Sequence, residues 1–114
     1  MNTISRNELR DLMEKKERFY LVEALPETFY ETGHLPGAIS IPAGYVVELA
    51  SNFIPDKKSL VIVYCNGRIC QNSRQAIEEF QSIGYSNLRH YEEGKEDWRA
   101  AGWPLEKQLA EDYV

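Results

Sequence analysis

Only two cysteines and two histidines occur in the 114 residues, Cys65, Cys70, His34 and His90, and this scarcity removes several possibilities. A disulfide framework would need more cysteines, and a Cys-x4-Cys spacing with no second pair is a poor zinc signature. No metal and no cofactor is therefore expected. Long apolar runs are also missing: nothing approaches the ~18 consecutive residues of a membrane span, and Met1-Asn-Thr-Ile-Ser-Arg-Asn-Glu8 lacks the basic segment and apolar stretch of a secretion signal. The formal charge is −5, with Lys15-Lys16 and Lys57-Lys58 the densest basic pairs, so there is no basic stripe to hold nucleic acid. A soluble cytoplasmic protein is expected. In that setting thiols stay reduced, and the two cysteines are read for reactivity rather than as a staple.

What is present suits one domain spanning residues 1–114, since 43% hydrophobic residues can build a packed core without crosslinks. Ser5-Arg-Asn-Glu8 has the form of a capping box, and Leu9, Leu12 and Met13 follow at helical spacing, predicting a helix to about Lys16. Phe19 to Leu25 reads as a buried strand closed by Pro26, and Pro26 to Glu31 as a short helix. After the turn cluster Gly33 to Gly37, Ala38 to Ile41 is a short strand, and Pro42 opens a helical stretch with Tyr45, Val46 and Leu49 on one side. The consecutive Leu60, Val61, Ile62 and Val63 suit a strand covered on both faces. Ala76, Ile77, Phe80 and Ile83 mark a helix from Gln71 to Ile83 that stops at Gly84. A strand from Asn87 to Tyr91 and a helix from Gly94 to Ala101 complete an alternation that predicts an α/β fold with a largely parallel sheet.

The segment Ser59 to Phe80 carries the candidate chemistry, because a buried strand there delivers Cys65 into a short loop ahead of a helix. Loop amides from Asn66 to Cys70, the positive end of the helix starting near Gln71, and the charge of Arg68 are expected to surround the sulfur and stabilise a thiolate. An ordinary cysteine ionises near ~8.5. Lowering that value by ~2 units corresponds to roughly 2.7 kcal/mol, and no general base would then be needed. Gly67 is expected to serve the cradle through positive φ or close approach, the competing reading being a plain Asn66-Gly67 turn.

Three segments in order resemble the rhodanese-like sulfurtransferase family: Gly33-His-Leu-Pro-Gly-Ala-Ile-Ser-Ile-Pro42, Tyr64-Cys65 with its loop and helix, and Tyr91-Glu-Glu-Gly94 through Trp98-Arg-Ala-Ala-Gly-Trp-Pro104. The resemblance implies a three-layer α/β domain with a central, mainly parallel five-stranded sheet flanked by helices, and a reactive cysteine at the strand-to-helix crevice. It also implies a sulfane sulfur transfer through a Cys65 persulfide. The donor would be of thiosulfate or persulfide type and the acceptor a thiol or cyanide, with an acceptor protein as a further partner.

Two departures stand out. Many members carry Asp-x-Arg before the Gly-His motif where this chain has Glu23-Ala24-Leu25, which removes a charged pair that supports the site from behind. Members also place Arg five positions after the cysteine, followed by Ser or Thr; here those positions are Cys70 and Gln71, and Arg68 comes early.

The candidate site is accordingly Cys65 as nucleophile, with Asn66, Gly67, Arg68, Ile69, Cys70 and Gln71 forming the substrate loop. Cys70 could resolve a Cys65 persulfide, act as the reactive thiol itself, or fill space; Arg68 could recognise an anionic donor or stay solvated. Arg74 is expected to face water or pair with Glu78, His34 to bond the turn backbone, and Trp98 and Trp103 to anchor the core. His90 could approach the site, though its spacing does not place it there. The alternative to catalysis is a rhodanese-like binding or thiol redox-sensing module. A phosphatase or arsenate reductase loop would place Arg six positions after the nucleophile, where Gln71 stands.

Overall fold

A computed structural model describes residues 2–107. The elements alternate as predicted: α1 (Arg6–Glu14), β1 (Tyr20–Glu23), α2 (Glu27–Thr32), β2 (Ile39–Ser40), α3 (Val46–Phe53), β3 (Val61–Tyr64), α4 (Asn72–Ser82), β4 (Leu88–Tyr91) and α5 (Gly94–Ala100). The capping box forms, the Glu8 amide donating to Ser5 Oγ at 3.1 Å and the Ser5 amide to Glu8 Oε1 at 2.9 Å. These bonds also hold the Glu8 carboxyl below its ordinary pKa.

The strands pair in the order β2-β1-β3-β4, all parallel, with Leu21 opposite Ile62 and Ile62 opposite Arg89. The two-residue period of β3 divides the core between its faces. Val61 and Val63 join Val22, Ala76, Ile77 and Phe80 on the side of α3 and α4, whereas Ile62 and Tyr64 join Leu9, Tyr91 and Trp98 on the side of α1 and α5. Helices therefore cover both faces, as the consecutive apolar residues of β3 require.

Among the described residues the sheet has four strands, not the five implied by the resemblance. At the position of a fifth stands the isolated parallel bridge Thr3 to His90, held by Ile4 N–H to His90 O (3.0 Å) and His90 N–H to Asn2 O (2.8 Å). The capping box turns the chain into α1 at Arg6, so the edge ends after one bridge. A second difference concerns α3, which starts at Val46 rather than Pro42. Residues 42–45 form a turn with Tyr45 N–H on Pro42 O and Gly44 at φ +95°, leaving Tyr45 exposed while Val46 is buried.

The carboxyl ends of all four strands lie at one side of the sheet, and there Glu23 is fully buried. Its Oε1 accepts from Lys95 Nζ at 2.9 Å and from the Tyr64 hydroxyl at 2.8 Å. Tyr64 Oη in turn accepts the Leu35 amide at 3.0 Å, and Lys95 also reaches Phe29 O at 3.1 Å. The charged pair missing at Glu23-Ala24-Leu25 is thus completed by Lys95, from the first turn of α5. Burial and the neighbouring Glu23 charge raise the Tyr64 pKa far above its ordinary value, so Tyr64 remains a donor.

Removing one partner of such a pair strands the other charge in the interior, at a cost of about 3–5 kcal/mol. Lys95→Met is expected to lose stability on that scale in urea unfolding, and Glu23→Gln combined with Lys95→Met to recover much of it. Equal losses for the single and double variants would contradict the pairing.

Candidate active site

Cys65 follows β3 directly and is 1% exposed. Its position is fixed from the far side by α5: the Lys95 amide donates to Cys65 O at 2.9 Å and the Glu96 amide to Asn66 O at 2.8 Å. This approach needs Gly94, which sits at φ +67°; a Cβ there would overlap the Cys65 carbonyl oxygen and lie 2.8 Å from the Asn66 carbonyl carbon. Two of the first amides of α5 are therefore spent on loop carbonyls.

The sulfur's own surroundings differ from the expected cradle. Among the described residues, no amide from Asn66 to Cys70 donates to Sγ. The single S–H instead has two acceptors in reach, Ser73 Oγ in the first turn of α4 at 3.1 Å and Cys70 O at 3.6 Å. Ser73 Oγ lies 2.7 Å from His90 Nε2 on β4, and both residues are buried. Cys65, Ser73 and His90 thus form one continuous chain of polar atoms from loop to helix to strand.

The electrostatics follow from this geometry. Burial pushes the Cys65 thiol up to about 11, and the Cys70 side chain beside it pushes the same way; the Ser73 hydroxyl and amide act in the opposite sense. The ring of loop amides expected to hold a thiolate does not face the sulfur, and burial with the Cys70 side chain outweighs the Ser73 hydroxyl and amide. Burial also lowers the His90 pKa, helped by the Arg74 guanidinium and opposed by Glu92.

The remaining loop residues lie around this chain. Gly67 is buried without positive φ, and what a Cβ would meet is the Glu96 carboxylate rather than the sulfur, so its close approach serves the α5 contact. Gly67 O accepts the Cys70 amide at 3.1 Å, making residues 67–70 a turn. Asn66 and Cys70 are half-buried, Gln71 is exposed and precedes α4, and Ile69 projects with 93% exposure. Arg68 pairs with Glu92 at 3.3 Å and Glu93 at 3.4 Å. Arg74 pairs with Glu92 at 3.5 Å, not with Glu78 one turn along its own helix.

Away from the loop, His34 Nδ1 meets Tyr30 O at 2.8 Å and its ring stacks on Tyr30 at 3.7 Å, the backbone-bonding role expected of it. Trp98 is buried against Trp103.

Reading the sequence missed Ser73. Its signal was the hydroxyl residue that the family pattern places at position 71, after the arginine; here a serine stands two positions later, at 73, and precedes Arg74 rather than following it. Nothing local connected His90 to it, since the two residues are seventeen apart, on a helix and on the strand that follows it.

Comparison with known proteins agrees with the fold. The family profile described as Rhodanese-like domain matches residues 5–101. An HTH-type transcriptional regulator of Mycobacterium tuberculosis is 29% identical over 87 residues, covering 76% of this chain and 37% of the regulator. The thiosulfate sulfurtransferase PspE of Escherichia coli is 38% identical over 61 residues, covering 54% of this chain and 57% of the enzyme. The chain thus spans about a third to somewhat over half of these relatives' lengths. Among solved structures, the BH2092 protein of Bacillus halodurans superposes with a TM-score of 0.86 at 26% identity, over 95% of this chain and 78% of that one.

Two outcomes are expected. Gly94→Ala should lose roughly 2 kcal/mol or more in denaturant unfolding, from the left-handed backbone plus overlap, whereas Gly102→Ala, at φ +78° with open space around it, should lose less. Equal losses would show that the α5 contact is not tight. For His90, a lowered folded pKa means that the unfolded chain binds more protons, so stability falls as pH drops through the ordinary value near ~6.5 and levels off below the folded value. His90→Gln should flatten that part of the pH–stability curve, and an unaltered curve would contradict the assignment.

Proposed function

Because this chain belongs to the rhodanese-like domain family, we propose that it is a sulfurtransferase in which Cys65 carries the transferred sulfur as a persulfide. The observation that carries the reading is the position of Cys65: at the carboxyl end of the central strand, its thiol bonded to the buried Ser73 hydroxyl, which in turn meets His90, rather than packed only among hydrocarbon. Its relative named a thiosulfate sulfurtransferase supports the reaction class.

Of the two donor types, a persulfide fits better than thiosulfate. Arg68 and Arg74 are both engaged by carboxylates, and the depression beside the loop is lined by Arg68, Ile69, Glu93, Glu96 and Asp97. Three carboxylates against one paired guanidinium repel a doubly charged anion. A persulfide donor brings less charge, and the projecting Ile69 offers apolar contact to a larger carrier. Sulfur of Cys65 attacks the donor's outer sulfur, the donor's S–S bond breaks with its electron pair leaving on the inner sulfur, and an acceptor thiol later removes the sulfane from Cys65. With Cys65 buried, the turn at residues 67–70 must move aside for the donor.

A second reading, a thiol redox module, is favoured by one observation: Cys70 is folded back against Cys65, its carbonyl 3.6 Å from Sγ, which places a second thiol-bearing residue beside the first. Mass spectrometry separates the two. Incubation with a low-molecular-weight persulfide should add one sulfur to the Cys65 peptide, faster than thiosulfate does, and Cys65→Ser should abolish the addition. Formation of a Cys65 to Cys70 disulfide under mild peroxide, with no sulfur taken up from either donor, would reject the sulfurtransferase reading in favour of the redox one.

A further inference from the structure

We propose that Ser73 and His90 form a proton relay for Cys65, Ser73 as a catalytic residue touching the reacting sulfur and His90 as a positioning residue and base acting through it. The inference rests on the sulfurtransferase reading and adds to it the group that activates the nucleophile.

Three observations carry it. The first is continuity: Sγ to Oγ is 3.1 Å and Oγ to Nε2 is 2.7 Å, both hydrogen-bonding distances, with Ser73 1% and His90 2% exposed. A hydroxyl between two such partners can accept from one while donating to the other. The second is that His90 Nδ1 is buried with no partner among the described residues, so Ser73 is the ring's polar contact. A purely structural buried imidazole would be expected to have both nitrogens satisfied. The third is placement: the His90 backbone is tied through its amide to Asn2 and through its carbonyl to Ile4 on one side, and β4 pairs with β3 on the other, which holds the Cα from which the buried ring projects.

The surrounding charges set the direction of transfer. Arg74 from α4 opposes protonation of His90, and Glu92, just after β4, favours it; these two pair at 3.5 Å, and Glu92 also holds Arg68 from the loop. The loop contributes Cys65, Arg68 and Cys70 as titratable groups. Burial, with Arg74 beside it, lowers the His90 pKa and so favours the neutral ring, which is able to accept a proton. The thiol remains protonated, so the proton leaves as Sγ attacks and free thiolate does not accumulate.

In that step the S–H bond breaks and its proton passes to Ser73 Oγ, while the Ser73 hydroxyl proton passes to Nε2. Sγ bonds the outer sulfur of a persulfide donor, and the donor's S–S electron pair departs on its inner sulfur. The products are Cys65 persulfide, a donor thiolate and an imidazolium, so one proton has crossed the chain and charge is conserved. The imidazolium proton returns through Ser73 when the acceptor takes the sulfur.

The test uses alkylation, which needs no sulfur donor. Trypsin cleavage after Arg68 puts Cys65 and Cys70 on different peptides, so the iodoacetamide rate at Cys65 can be followed alone by mass spectrometry from about pH 5 to about pH 10. Ser73→Ala and His90→Gln are each expected to slow it about tenfold or more near neutrality while leaving the rate near pH 10 unchanged, and Ser73→Thr, which keeps the hydroxyl, to restore most of it. Variants that alkylate with the unaltered pH profile would overturn the relay. Should a variant fail to fold, the imidazole nitrogen resonances of the unmodified protein serve instead: the His90 titration must move when Cys65 is alkylated, and a titration that does not move overturns the relay. Relay-dependent alkylation without sulfur uptake would reject the sulfurtransferase reading and leave the relay standing; sulfur uptake with relay-independent alkylation would do the reverse.

Discussion

The contact on which the site depends is the docking of the α5 amino end against the carbonyls of Cys65 and Asn66, made possible by the bare Cα of Gly94. A helix start has free amides to give, and anions are their usual partners. Here two of them go to peptide oxygens, which fixes the loop backbone and presents the Cys70 carbonyl to the sulfur in place of a ring of N–H groups. A loop so arranged favours thiol over thiolate. Chemistry at Cys65 then needs a polar exit for its proton, and Ser73 with His90 provides one.

The same helix supports the site from below. Its Lys95 side chain enters the interior to meet Glu23 while its Lys95 amide holds Cys65 O, so one residue joins the buried ion pair to the reactive loop. Tyr64, adjacent to Cys65, shares Glu23 with Lys95 and ties the Gly33 to Gly37 turn through the Leu35 amide. Strand β3, the turn, α5 and the loop are therefore mechanically coupled. Such buried polar networks rigidify a site when nearly every member is satisfied, and Glu23 Oε2 is the one oxygen left without a partner.

Local chemistry explains what was legible in the chain. The period-two and period-3.6 patterns, the Ser5 to Glu8 box and the Pro and Gly punctuation placed all nine elements, and the apolar run before Cys65 identified the central strand. The fifth strand implied by the resemblance does not form, because a helix cap at Ser5 overrides the edge pairing that Thr3 begins. The sulfur's environment was not legible for a different reason: whether a loop turns its amides or its carbonyls toward a side chain depends on what holds its other face, and that is α5, some thirty residues further on. Glu23 with Lys95 and Ser73 with His90 are likewise long-range contacts that leave no spacing signature.

The protonation state of Cys65 at rest is the claim on which the account turns, and its most direct measure is the carbon-13 Cβ resonance of that residue followed from about pH 6 to about pH 9. With the thiol pushed up to about 11, the resonance is expected to hold its position across the range. A titration with a midpoint below about 8 would mean that the sulfur rests as a thiolate, and would contradict both the carbonyl-facing loop and the need for a base.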